Sequence, residues 1–210
     1  MGRSGLAVLL LAVVLVAVFT VNTLSKGPKD LAGIPVGHRM PAFAAPLALS
    51  DLEGDVNVAT APDQGAAGKV PACSVRGPKV LNICQEWEHG PVVLALFVDG
   101  SACTGVLGEM QKLRAEFPQV RFVAVALKGE REPVRATIKH LHLTYPVGLD
   151  PDGILAELYA LASCPQITFA YPGGDVQSRA LLVTPSLDQL RKRVRELVAG
   201  SEQRAAGAAR

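Results

Sequence analysis

Charge imbalance is almost missing from this chain of 210 residues: 21 Lys and Arg stand against 19 Asp and Glu, a formal net charge of +2. No run of like charges interleaves with aromatics, so nucleic-acid binding is excluded as a partner class. Metal-ligand spacing is missing too. No two cysteines stand at zinc-ligand separation, and His140 and His142, two apart on a predicted helix, point to different sides. No metal or cofactor is expected. There is no internal repeat, and the single tryptophan, Trp87, reads as a packing residue beside a solvated turn of Glu86, Glu88 and His89.

Charge is also absent over one whole segment. Gly5 to Leu24 is twenty residues without a charged side chain, and about twenty helical residues cover a hydrocarbon core of roughly 30 Å. The run ends without an Ala-x-Ala pattern, which favours an uncleaved anchor over a cleaved signal. The flanking charges, Arg3 before and Lys26 and Lys29 after, are too evenly divided to orient it. All four cysteines, Cys73, Cys84, Cys103 and Cys164, follow the span. An oxidising exterior suits them. The expected layout is a transmembrane anchor over 1–25, a Pro- and Gly-rich stalk over 26–40, a folded domain over 41–199 and a disordered tail over 200–210. The protein is thus expected at the cell membrane, single-pass, with its domain on the extracytoplasmic side.

What is present is a large apolar fraction, 49%, enough for a packed core. Asp51 to Lys69 reads as surface loop. Val70 to Val75 and Val80 to Cys84 flank Arg76-Gly77-Pro78-Lys79 and predict a β-hairpin. Val92 to Val98 is a continuous apolar run, as a centrally buried strand requires, and Val120 to Leu127 reads as a second buried strand. Between them, Val106, Met110, Leu113 and Phe117 recur along one face of a helix over Thr104 to Phe117. A second helix is predicted over Glu130 to Leu141, with Pro133 in its first turn. This alternation implies parallel crossovers in an α/β protein. Tyr145 to Leu149 reads as a short extended piece and Asp152 to Leu161 as a short helix. Gln166 to Tyr171 and Val176 to Val183 flank Pro172-Gly173-Gly174 and predict another hairpin. A last helix opens with Ser186 and Gln189 at capping-box spacing and ends before Gly200.

Ala102-Cys103-Thr104-Gly105-Val106-Leu107-Gly108-Glu109-Met110 resembles the Trp-Cys-Pro-Pro-Cys-Arg-x-Glu-Met motif of the thioredoxin-like superfamily, in its TlpA/ResA-like, AhpC/TSA redoxin branch. Glu109 and Met110 set the register. Cys103 then matches the first cysteine, and Val106 stands in place of the second. Tyr145 to Gly153 is similar to the family's "fPvllDpdG" segment, and Cys164-Pro165-Gln166-Ile167-Thr168-Phe169 to its x-Pro-x-x-Phe. The resemblance covers roughly Pro41 to Ala199 and implies a thioredoxin-like fold with a central mixed sheet flanked by helices, carrying here the inserted hairpin.

It also implies a cis Pro165 facing Cys103, with Cys164 as the replacement partner. One reading makes Cys103 the nucleophile and Cys164 the resolving thiol of a thiol-disulfide oxidoreductase, acting on protein thiols or disulfides or on a redox partner protein. The other makes the pair a permanent bridge in a binding or scaffold module. Cys73 and Cys84 are expected to form a structural bridge. A peroxidase is disfavoured because its Pro-x-x-x-Thr/Ser-x-x-Cys motif would place its proline and hydroxyl where Leu96 and Gly100 stand.

Overall fold

The computed structural model describes residues 12–16, 33–54, 56, 70–100 and 102–208. Residues 12–16 are helical; the rest of the predicted span, like most of the predicted 51–69 loop, lies outside the described residues. No described helix is long and apolar enough to cross a membrane. Gly33–Arg210 forms one compact unit.

Five strands make its central sheet: β3 (Val92–Phe97), β4 (Arg121–Leu127), β5 (Val147–Asp150), β6 (Gln166–Ala170) and β7 (Val176–Leu181), after a small antiparallel pair of β1 (Ala44–Pro46) and β2 (Val80–Asn82). The order across the sheet is β5-β4-β3-β6-β7. β3, β4 and β5 run parallel, whereas β6 lies antiparallel to β3 and β7 antiparallel to β6. β3 is buried at every position. Because successive side chains of a strand point to opposite faces, Val93, Ala95 and Phe97 join one core and Val92, Leu94 and Leu96 the other.

The first core is closed by α2 (Gly105–Glu116), α3 (Arg131–His140) and α5 (Leu187–Ala208). Val106, Leu107, Met110 and Leu113 form the buried stripe of α2. The second core is closed by α1 (Ile83–His89), by α4 (Ile154–Leu158) and by Met40, Phe43 and Leu81.

Three expectations need correction. The hairpin predicted across 70–84 does not exist: Ala72–Ser74 is a 3-10 turn, β2 pairs with β1, and the chain then enters α1. Asn82 causes the switch. Its side-chain oxygen accepts from the Cys84 and Gln85 amides, capping α1, and its amide donates to the Ala72 and Val75 carbonyls. A buried Asn with its donors and acceptor engaged is stable where it stands.

The predicted stalk is, from Gly33 onward, part of the domain. Gly37 donates to the Val176 carbonyl and Met40 to that of Gly174, and Met40 is buried. Backbone groups that find partners on the β6–β7 hairpin have no reason to stay solvated. The predicted tail is helix through Ala208. Ala, Arg, Glu and Gln are strong helix formers, and Gly200 is a packing residue rather than a stop: a Cβ there would stand 2.6 Å from the Tyr171 hydroxyl. One turn on, Arg204 stacks 4.1 Å from the Tyr171 ring centroid and pairs with Asp175. The reciprocal capping box at the other end of α5 is present, with Ser186 and Gln189 each accepting from the other's amide.

Candidate functional site

The site forms where the carboxyl end of β3 meets the amino end of β6. Leu96 and Gln166 are register partners across these antiparallel strands, so the chain leaving β3 at Val98 and the chain entering β6 at Pro165 are neighbours. Cys103 sits in the 3-10 turn Ala102–Thr104 that feeds α2. Cys164 directly precedes Pro165, and the peptide between them is cis. A disulfide joins the two cysteines, with Cα atoms 5.4 Å apart, inside the usual span of about 4.4 to 6.8 Å.

The two sulfurs differ in their surroundings. Cys103 is 8% exposed and belongs to the first core, among residues that include Phe97, Val106 and Leu107. Cys164 is only partly buried and packs against the edge of that core. The Val98 amide donates to Cys164 Sγ at 3.2 Å. Behind Cys164, buried Gln166 holds the loop from within: its Nε2 donates to the Tyr159 carbonyl and its Oε1 accepts from the Ala162 amide. Tyr159 is itself anchored, its hydroxyl donating to the Pro41 carbonyl and its ring edge-on to Phe43. Burial pushes the Tyr159 and Tyr145 hydroxyls well above the ordinary phenol range. Both therefore act as donors, Tyr145 toward the Leu107 carbonyl of α2.

The segment Tyr145 to Gly153 also finds a structural use. Asp150 is buried, its carboxylate accepting from the Leu155 amide at the start of α4 and its carbonyl from the Lys128 amide. This carboxylate engages an amide at the start of α4, whose Leu155 lies in the second core and not in the disulfide's own.

Cys73 and Cys84 form a second disulfide, Cα atoms 5.3 Å apart. It ties the 3-10 turn to the first turn of α1 rather than the arms of a hairpin. Closing a loop of 11 residues in sequence separation contributes on the order of 2 to 3 kcal/mol by loop entropy. Trp87, on the same helix, is buried against the β6–β7 turn, where Gly174 has φ 91° and a Cβ would stand 2.7 Å from the indole. Among the described residues no group of three His, Cys, Asp or Glu is placed to hold a metal ion.

The residues that support Cys164, namely Val98, Tyr159 and Gln166, escape sequence reasoning. Val98 acts through its backbone, which no side-chain pattern reveals. Gln166 had a signal: an amide opening an otherwise apolar strand must find partners when buried.

No protein-family model matches the chain. It is 34% identical over 77 residues to the thiol-disulfide oxidoreductase ResA of Oceanobacillus iheyensis, a match covering 36% of this chain and 40% of that protein. The chain thus spans under half the length of the curated relative it matches. Among solved structures, a Chlorobium tepidum protein described as a thiol:disulfide interchange protein DsbE superposes with a TM-score of 0.58 at 16% identity, over 78% of this chain and 99% of its own. A Bacteroides thetaiotaomicron protein described as a protein disulfide isomerase gives 0.60 at 15%, over 83% and 98%. A secreted disulfide oxidoreductase of Mycobacterium tuberculosis gives 0.50 at 18%, over 57% and 88%.

Proposed function

From a thioredoxin-like fold with a local likeness to ResA, we propose that this chain is a thiol-disulfide oxidoreductase whose redox centre is the Cys103–Cys164 pair. The observation that carries the reading is the placement of two cysteines, from separate loops, within bonding distance at the end of the central strand. The pair replaces a motif in which both thiols lie on one helical turn. Exchange needs a thiolate that attacks and a second thiol that releases the mixed disulfide, and these two residues supply both.

Substrates are protein thiols and disulfides. Insulin reduction under dithiothreitol measures the activity: serine at Cys103 or at Cys164 lowers the rate to the uncatalysed level, and serine at both Cys73 and Cys84 leaves it in place while lowering the melting temperature. A folded wild-type chain that gives no rate above the uncatalysed control defeats the proposal. The burial of Cys103 favours one second reading, a disulfide-stapled binding module without turnover, and that is the result such a failure would support.

We place the domain outside the membrane, held by Gly5 to Leu24. Twenty uncharged residues ahead of a domain with two disulfides support this. The expected result is a membrane-bound domain that external protease digests in intact cells; a soluble shortened product, or protection from protease, overturns it.

A further inference from the structure

Resting on the exchange reading above, we infer that Cys164, the residue before Pro165, is the sulfur that bonds to partners, and that Cys103 resolves. This reverses the roles that the sequence resemblance assigns. Three observations converge on it. The first is access: Cys103 is 8% exposed inside the core formed with α2, whereas Cys164 lies partly exposed at its margin. A protein disulfide is bulky, and the sulfur it can reach decides where the mixed disulfide forms.

The second is the Val98 amide, which points at Cys164 Sγ. A donor aimed at a sulfur stabilises the negative charge that develops on it during exchange. The third is the position of Cys103 in the turn that feeds α2. Amides at the start of a helix stabilise negative charge on a nearby sulfur, and a sulfur so stabilised is a good leaving group. The less accessible cysteine is thereby suited to leave.

The step balances. The Cys164 thiolate attacks a partner disulfide; its Sγ bonds one partner sulfur, the partner S–S bond breaks, and the other partner sulfur leaves as thiolate and takes a proton from solvent. The Cys103 thiolate then attacks Cys164 Sγ, the Cys103–Cys164 bond forms, and the second partner thiolate leaves. Two electrons pass to the partner. In the reverse direction a partner thiolate attacks Cys164 and expels Cys103, through the same mixed disulfide. Val98, whose amide donates to Cys164 Sγ, is itself 40% exposed beside it.

The test uses the full chain with insulin as the disulfide probe. Reduced Cys103→Ser accumulates a mixed disulfide through Cys164, seen as a dithiothreitol-sensitive band on a non-reducing gel, while Cys164→Ser forms one at least about tenfold more slowly. Faster trapping by Cys164→Ser overturns the inference and leaves the exchange reading intact. Trapping by neither variant, with circular dichroism reporting both folded, overturns the exchange reading itself. Should either variant fail to fold, the oxidised wild-type chain is treated with glutathione, quenched in acid during the reaction and mapped by mass spectrometry. The adduct is expected on Cys164; an adduct on Cys103 overturns the inference.

Discussion

Serine at both Cys103 and Cys164 is expected to lower the unfolding free energy by about 4 kcal/mol. The bond closes a loop of 61 residues in sequence separation, and removing such a cross-link frees the unfolded chain by roughly that amount on loop-entropy grounds. The native state loses little besides, because β3 and β6 are already paired at Leu96 and Gln166 and hold the loop ends together without it. Each single substitution should cost nearly as much as the double one, since either destroys the same bond; strong non-additivity is the signature of two groups in one interaction. Guanidinium unfolding of the oxidised wild type and the three variants measures this. A loss below about 1 kcal/mol would mean that the unfolded chain is already confined near this loop, and additive single losses would mean that the two residues act separately.

Phe97→Ala is the other change with a large expected cost, about 3 to 5 kcal/mol. Phe97 ends β3, is fully buried and lies in the core that Cys103, Val106 and Phe169 share. Truncation removes a ring from a space bounded by a strand pair and by α2, neither of which can close over the gap without breaking register. Phe97→Leu should cost less than half as much, because most of the volume is kept. Urea midpoints at constant m value decide it. If the alanine variant loses under about 2 kcal/mol, the core relaxes into the gap and its packing is looser than the burial indicates.

The chain announces its centre and conceals its periphery. β3, α2, β4 and α3 could be read because strands buried on both faces must be continuously apolar, and because a helix on a sheet must carry one apolar stripe. The β6–β7 hairpin was legible in Gly173-Gly174. β1 was not: Ala44-Ala45-Pro46 has no β-branched or aromatic side chain, and it forms a strand because β2 pairs with it. The segment through Asn82 misled because Val80, Leu81 and Ile83 suggest a continued strand, while a single side chain caps a helix there. Gly33 to Met40 and the end of α5 depend on tertiary partners, Gly174 and Val176 for one and Tyr171 and Asp175 for the other. At the site, the cysteine pair could be anticipated from a resemblance to a motif. The difference in exposure between the two cysteines comes from tertiary packing, which no motif encodes.

The two bridges follow one another along the chain, and neither loop encloses or crosses the other. That order matters to a polypeptide made from its amino end. At about 5 to 20 residues per second, Cys84 emerges soon after Cys73, and the 61 positions from Cys103 to Cys164 take roughly 3 to 12 s. During that interval Cys103 has only Cys73 and Cys84 available within its own chain, and early closure of their short loop removes both from competition. Of the three ways to pair four cysteines, this fold uses the one that results when each thiol bonds the next to arrive.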